Sequence, residues 1–205
     1  MLPHPWAGVA PRCATLASGG SNSTRLYSRT GDRGDTGLTG GARVNKASAR
    51  VRALGTYDEL AAELGVSEAF LPGRPEEQAL LRRLSHEVFI ANSEIASPGP
   101  LAKNAHRIEA RHVQRLEEDT DRLSASIDAV HSFVLPRGGP GGAHLQYARA
   151  VARRAERDLW ALHAEEPQRE VLLQWANRLS SLLFALALAV NRSEGFSEIP
   201  PDYTV

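Results

Sequence analysis

The chain predicts an all-α fold, an up-and-down bundle of about five helices behind a glycine-rich N-terminal ligand loop. Three observations predict it. Apolar residues recur at helical spacing over five long segments. Breaks rich in proline and glycine separate those segments. No run of useful length alternates apolar and polar residues as a strand would. At 205 residues and 42% hydrophobic content, the chain is long enough to bury one ordinary core.

Residues 1–26 are rich in Pro, Gly, Ser and Ala, carry Arg12 and Arg25, and contain no acid. They read as a disordered tail, with an organellar transit peptide as the alternative. The run from Tyr27 to Gly41 follows, with five glycines, three threonines and two aspartates. It cannot build a core. Its glycines let backbone N–H groups approach a ligand, which makes it a candidate phosphate nest; an ordinary turn loop is the alternative. It is not a P-loop, because no Gly-x-x-x-x-Gly-Lys-[Ser/Thr] occurs in the chain. Lys46 and Lys103 are the only lysines, so Lys46 beside this loop stands out.

A first helix carries Val51, Leu54, Leu60, Leu64 and Phe70 on one face and ends at Leu71-Pro72-Gly73. A second, over residues 76–96, uses Leu80, Leu81, Leu84, Val88 and Ile95, and Ser97-Pro98-Gly99-Pro100 stops it. The third is expected over 105–130, with Ile108, His112, Leu116 and Leu123. After the glycine-rich break at 133–142, a fourth runs over 143–163. A fifth runs over 167–192, with Pro167 in its first turn. The bundle domain therefore spans 27–195 and a C-terminal tail 196–205. Within the fifth helix, Leu182 to Val190 is apolar all round. Such a helix is buried on every side, so it is either central or also covered by another subunit, and self-association is expected.

Basic and acidic residues number 24 each, so no bulk field draws in nucleic acid or an anionic membrane. The longest uninterrupted apolar run has nine residues, short of a membrane span. Neither nucleic acid nor membrane is expected as a partner. The single cysteine, Cys13, excludes an internal disulfide and a cysteine-based zinc site. A reducing cytoplasm fits, or the mitochondrial matrix if residues 1–26 are a transit peptide. Asn22-Ser23-Thr24 and Asn191-Arg192-Ser193 match the glycosylation pattern and, without a secretory signal, are read as chance.

Four groupings could carry chemistry. Arg149, Arg153 and Glu156 share one face of the fourth helix. Two guanidiniums there can grip a polyphosphate while the carboxylate orients them; a solvated charged stripe is the alternative. Asn177 and Ser181 share a face just before the apolar half of the fifth helix, where they either satisfy internal hydrogen bonds or face a ligand. Asp58 pairs with an arginine of another helix or complements the helix dipole. Glu109 and His112 form a lone Glu-x-x-His; di-iron bundles need two, so metal binding through it is not expected.

In order, four blocks are similar to the ATP:cob(I)alamin adenosyltransferase family of trimeric helical type, across roughly residues 26–195. They are Tyr27-Ser28-Arg29-Thr30-Gly31-Asp32-Arg33-Gly34-Asp35-Thr36-Gly37-Leu38; Lys46 through Arg50 to Gly55-Thr56-Tyr57-Asp58-Glu59-Leu60; Phe133-Val134-Leu135-Pro136 with its glycines; and Arg149 through Arg153-Arg154-Ala155-Glu156-Arg157, followed by Asn177-Arg178-Leu179-Ser180. The resemblance implies transfer of the 5′-deoxyadenosyl group of ATP to cob(I)alamin, releasing inorganic triphosphate. It implies a homotrimer with active sites between subunits. ATP, with Mg²⁺ on its phosphates and no protein ligand to the metal, would be held by Thr30, Gly31, Asp32, Gly34, Thr36, Lys46, Arg149, Arg153, Glu156 and Asn177. Asp58 would pair with Arg149 across the boundary. Phe133 would sit against the lower face of the corrin and keep the axial ligand off cobalt, which makes cob(II)alamin easier to reduce. A cob(II)alamin reductase and an adenosylcobalamin-dependent acceptor enzyme are the implied partners. A non-catalytic ATP/cobalamin carrier or sensor is the alternative function, and a plain structural bundle a further one.

One position departs from the family. Asn-Arg-Leu-Ser-Asp is its usual reading in the fifth helix, and Ser181 stands here in place of the aspartate on the corrinoid side. Ser181→Asp is therefore expected to raise adenosyltransfer activity or leave it unchanged in a turnover assay. A large loss would show a site rebuilt around serine.

Overall fold

The computed structural model describes residues 27–100, 105–127 and 132–204. Five helices make the body: α1 (Ala49–Ala69), α2 (Pro75–Ile95), α3 (Ala110–Ser124), α4 (Pro140–Glu165) and α5 (Glu170–Ser193). Local chemistry sets their starts. Ser48 Oγ accepts the Val51 N–H at the head of α1. Pro75 and Pro140 open α2 and α4, where a missing N–H costs nothing. Glu76 and Glu77 complement the dipole of α2.

Three boundaries differ from the sequence expectation. Helix α3 is shorter than 105–130, because its cap sits at Glu109, whose N–H is accepted by His112 Nδ1 at 2.8 Å. That capping contact occupies the Glu-x-x-His pair. Helix α4 begins three residues before Ala143, since Pro140-Gly141-Gly142 fits the first turn. Pro167 lies ahead of α5 and not in its first turn. The expected tail at 1–26 and residues 128–130 of the third expected helix lie outside the described residues.

A small hairpin escaped the sequence reading. Strands β1 (Asp35–Gly37) and β2 (Arg43–Asn45) pair antiparallel, Thr36 opposite Val44. Three residues each are too few to give a period-2 signal; backbone pairing holds them.

Helix α1 packs on α2 and α4, α4 packs on α5, and α5 on α3. Helices α1 and α4 run antiparallel. Arg50 near the start of α1 pairs with Glu166 at the end of α4, and at the other end the ring of Phe70 stacks on His144 at 4.5 Å. The apolar half of α5 fills the centre, with Leu182, Leu183, Leu186, Ala187 and Leu188 all buried within the single chain. This helix is long and apolar enough to pass as a membrane span by composition, but 67% of the span is buried in the bundle, as in a core helix. Its apolarity is thus met inside one chain. The expectation of self-association loses the ground it had in this helix.

Helices α2, α3 and α5 are joined by a buried carboxylate. Glu87, 3% exposed, accepts from Trp175 Nε1 at 2.9 Å and from Arg83 Nη1 at 2.7 Å. Arg83 also pairs with Asp119 of α3. Residues 196–204, read from sequence as a tail, lie along the segment before α4: the Leu135 N–H donates to the Ile199 carbonyl at 2.8 Å. Asn191, one of the two glycosylation matches, is buried.

Glu87→Ala leaves the Trp175 indole N–H and the Arg83 guanidinium short of their buried partner. It is expected to cost about 3–5 kcal/mol in chemical denaturation. Glu118→Ala on the exposed face of α3 should stay within about 0.5 kcal/mol.

Candidate active site

The glycine loop is gathered onto Lys46. Lys46 Nζ donates to the Gly31 carbonyl at 2.8 Å, and its backbone N–H to the Gly34 carbonyl at 2.8 Å. Arg43 Nη2 reaches the Thr30 carbonyl at 2.9 Å. Gly34 turns through φ +88°, a conformation open to glycine and costly for other residues. Asp32 and Thr36 belong to the same turn and strand. The hairpin docks on the end of α2 through the Thr39 N–H and the Ala96 carbonyl, 3.1 Å apart. Thr30, Gly31, Asp32, Gly34, Thr36 and Lys46 therefore form one structure, a loop with a cation at its base.

The second half of the site lies between α4 and α5. Glu156 accepts from Asn177 Nδ2 at 2.8 Å. Asn177 Oδ1 accepts from Arg178 Nη1 at 2.8 Å, and Arg178 pairs with Glu117 of α3. One and two turns further along α4 toward its start stand Arg153 and Arg149. Arg149 Nε donates to Gln146 Oε1 at 2.9 Å, and its guanidinium lies 5.5 Å from the centre of the Phe184 ring. Burial, then repulsion from Arg153, holds the Arg149 pKa below the usual arginine value. Neither Arg149 nor Arg153 has a carboxylate partner among the described residues, whereas Arg50, Arg74, Arg83, Arg154, Arg169 and Arg178 all do. Two unneutralised guanidiniums on one face are a site for an anion.

Ser181 is exposed and lies one turn beyond Asn177, on the same face as Phe184. It therefore fronts the arginine groove. Gln146 and Phe184 were missed from sequence. Their spacing to Arg149 and Asn177 was the available signal, but Gln and Phe at such positions more often serve the core. Beneath the groove Tyr57 is 1% exposed, its ring 6.0 Å from Trp175. Burial, then the charges of Glu156 and Asp158, push its hydroxyl pKa up.

Asp58 and Phe133 stand apart from both halves. Asp58 Oδ1 accepts from Asn92 Nδ2 at 2.9 Å, and within the chain it makes no contact with Arg149. Phe133 is 82% exposed, ahead of α4. The two halves are themselves separated. The loop joins α1 where Arg50 meets Glu166, and Arg149 lies 17 residues before Glu166 on α4. That spacing is about 25 Å of helix.

Fold and site define a helical bundle with a glycine-nest loop and an unpaired arginine groove, both suited to a polyphosphate. The chain belongs to the cobalamin adenosyltransferase family, whose model matches residues 26–190. A corrinoid adenosyltransferase of Mycobacterium tuberculosis is 39% identical over 176 residues, covering 82% of this chain and 89% of that protein. One from Bacillus subtilis is 36% identical over 178 residues, 85% of this chain and 91% of that protein. Among solved structures, a phenylalanine-to-histidine variant of a PduO-type ATP:corrinoid adenosyltransferase from Lactobacillus reuteri, complexed with cobalamin and ATP, superposes with a TM-score of 0.83. It is 27% identical over 87% of this chain and 97% of that one.

Arg153→Ala should leave thermal stability within about 0.5 kcal/mol, since the side chain is exposed and unpaired. Calorimetric titration with inorganic triphosphate should show about tenfold weaker binding or more, the loss of one charge-assisted contact. Arg178→Ala, whose charge Glu117 already balances, should weaken it far less.

Proposed function

We propose that this chain transfers the 5′-deoxyadenosyl group of ATP to cob(I)alamin. A cobalt–carbon bond forms at C5′, the C5′–oxygen bond breaks, and inorganic triphosphate leaves with the bonding pair. The observation that carries this reading is the unpaired Arg149–Arg153 groove beside the Glu156–Asn177 pair, in a chain 39% identical to a corrinoid adenosyltransferase. The leaving group gathers negative charge. Arg149, Arg153, Lys46 and the N–H groups of the Thr30–Thr36 loop are the fixed positive groups that can stabilise it. Mg²⁺ would travel on the phosphates as part of the substrate complex. No proton moves in the transfer, so no general base is required.

The active unit in this proposal is a homotrimer. Its support is the length of α4 between the level of the loop at Glu166 and the groove, 10 residues or about 15 Å to Glu156 and 17 residues or about 25 Å to Arg149. A second copy supplying its loop to the groove completes the site. Asp58 of one subunit then has Arg149 of its neighbour as partner. Phe133 would press on the lower corrin face and hold the axial ligand off cobalt. A cob(II)alamin reductase upstream and an adenosylcobalamin-dependent enzyme downstream follow from the chemistry, in the cytoplasm, or in the mitochondrial matrix if residues 1–26 are a transit peptide. Ser181 is the observation that favours a second reading, a carrier that binds both substrates without turnover.

The test is anaerobic. The protein is mixed with ATP, Mg²⁺ and chemically reduced cob(I)alamin, and the corrin spectrum and triphosphate are followed together. Light-sensitive adenosylcobalamin with equimolar triphosphate is the expected result; binding of both substrates without triphosphate release would overturn catalysis. Phe133→Ala should leave ATP affinity and thermal stability unchanged and lower turnover with cobalamin about tenfold or more.

A further inference from the structure

We infer that Asn191 is a positioning residue for the segment that carries Phe133, and so acts on the corrinoid half of the reaction. The inference rests on the role given to Phe133 above. Asn191 follows the apolar half of α5 and is 4% exposed. Its Nδ2 donates to the Arg137 carbonyl at 2.9 Å. Gly138 and Gly142 close on the carboxamide; a Cβ at either would stand 1.8 Å from Asn191 Oδ1. The Asn191 backbone carbonyl in turn accepts the Phe196 N–H at 2.9 Å. One short amide thus joins the end of α5, the glycine-rich break and the start of the C-terminal segment.

The amide is a poor choice for core packing alone. Its Oδ1 is buried without a hydrogen-bond donor among the described residues, which is costly. An apolar side chain would avoid that cost. What only the amide gives is a donor short enough to reach the Arg137 carbonyl between two glycines. Arg137 lies four residues after Phe133 on the same segment, which turns at Pro136 as the Arg137 N–H donates to the Leu135 carbonyl at 2.9 Å. Phe133 itself is 82% exposed, so packing against the described residues does little to hold it. Among the described residues, this stretch makes one further hydrogen bond to another element, from the Leu135 N–H to the Ile199 carbonyl. Fixing the Arg137 carbonyl fixes the arm on which Phe133 is carried. The arginine groove begins further along α4, and among the described residues Asn191 makes no hydrogen bond to it, although Gln146, which accepts from Arg149, lines the same cavity as Asn191.

The test compares wild type, Phe133→Ala, Asn191→Ala and the near-isosteric Asn191→Asp, which keeps the shape and removes the donor. Four quantities are measured: thermal stability, ATP affinity, the visible spectrum of cob(II)alamin bound with ATP, and turnover of cob(I)alamin. Both Asn191 variants are expected to bind ATP within about twofold of wild type. They are expected to lose about tenfold or more in turnover and in the fraction of cob(II)alamin with its lower ligand off. Unchanged turnover and spectrum in either folded variant would overturn the inference. So would loss of ATP binding in both variants, since Asn191 would then serve the whole fold. If Phe133→Ala loses the lower-ligand-off spectrum and the Asn191 variants keep it, only the Asn191 inference fails. If wild type itself binds cob(II)alamin with the ligand on, the reading of Phe133 fails, and the inference with it.

Discussion

The structure depends on hiding the second half of α5. From Leu182 to Val190 the helix has no polar face, and water must be kept from it on all sides. Helices α3 and α4 cover it directly, and α1 lies on α4. This packing fixes the rotation of α4. With Leu145, Ala148, Ala152 and Ala155 committed to the core, Arg153 is left exposed, and Arg149 and Glu156 stand at the core's edge. The groove is a by-product of burial in geometry, and a product of residue choice in charge.

That charge is unusual within the molecule. Most of the chain's arginines near the core end on a carboxylate: Arg50 on Glu166, Arg83 on Glu87 and Asp119, Arg169 on Glu94. Such pairing limits the cost of taking charges from water. Arg149 has instead a glutamine, an aromatic ring and a second arginine as neighbours. A partly buried cation whose surroundings disfavour it gains most from an incoming anion. The loop on Lys46 has the same bias by another route, through backbone N–H groups and an ammonium that already holds the Gly31 carbonyl while the Lys46 backbone N–H holds that of Gly34. Within one chain the two anion-seeking surfaces sit at different levels of α4, the loop near Glu166 and Arg149 17 residues, or about 25 Å of helix, before it.

At the other end of the bundle, polar contacts do what packing cannot. The break before α4 is too rich in glycine to hold itself by side chains. A single amide from α5 and one backbone bond from the C-terminal segment tie it down instead. The same logic appears at the seam of α2, α3 and α5, where Glu87 accepts from Trp175 and Arg83 amid buried apolar residues. Apolar burial determines which helices touch, and a few buried polar groups determine what the segments between them can do.

Sequence alone determined the helical class, because a 3.6-residue apolar period survives in any one segment regardless of its neighbours. It also determined which residues carry charge beside the glycine loop and on one face of α4. The breaks at Leu71-Pro72-Gly73 and around residues 133–142 were legible because proline and glycine act locally. Three-residue strands were not legible, since pairing partners six to ten residues apart leave no local period. The lone Glu-x-x-His gave no sign of its part at the head of α3, where His112 accepts the Glu109 N–H. Only the tertiary structure decided that α5 is covered within one chain and that Asp58 accepts from Asn92 rather than pairing with an arginine of the same chain. It also decided that Arg149 and Arg153 find no acid among the described residues. Each of those depends on which surfaces of distant segments meet, and a partner distant in sequence leaves no mark on local spacing.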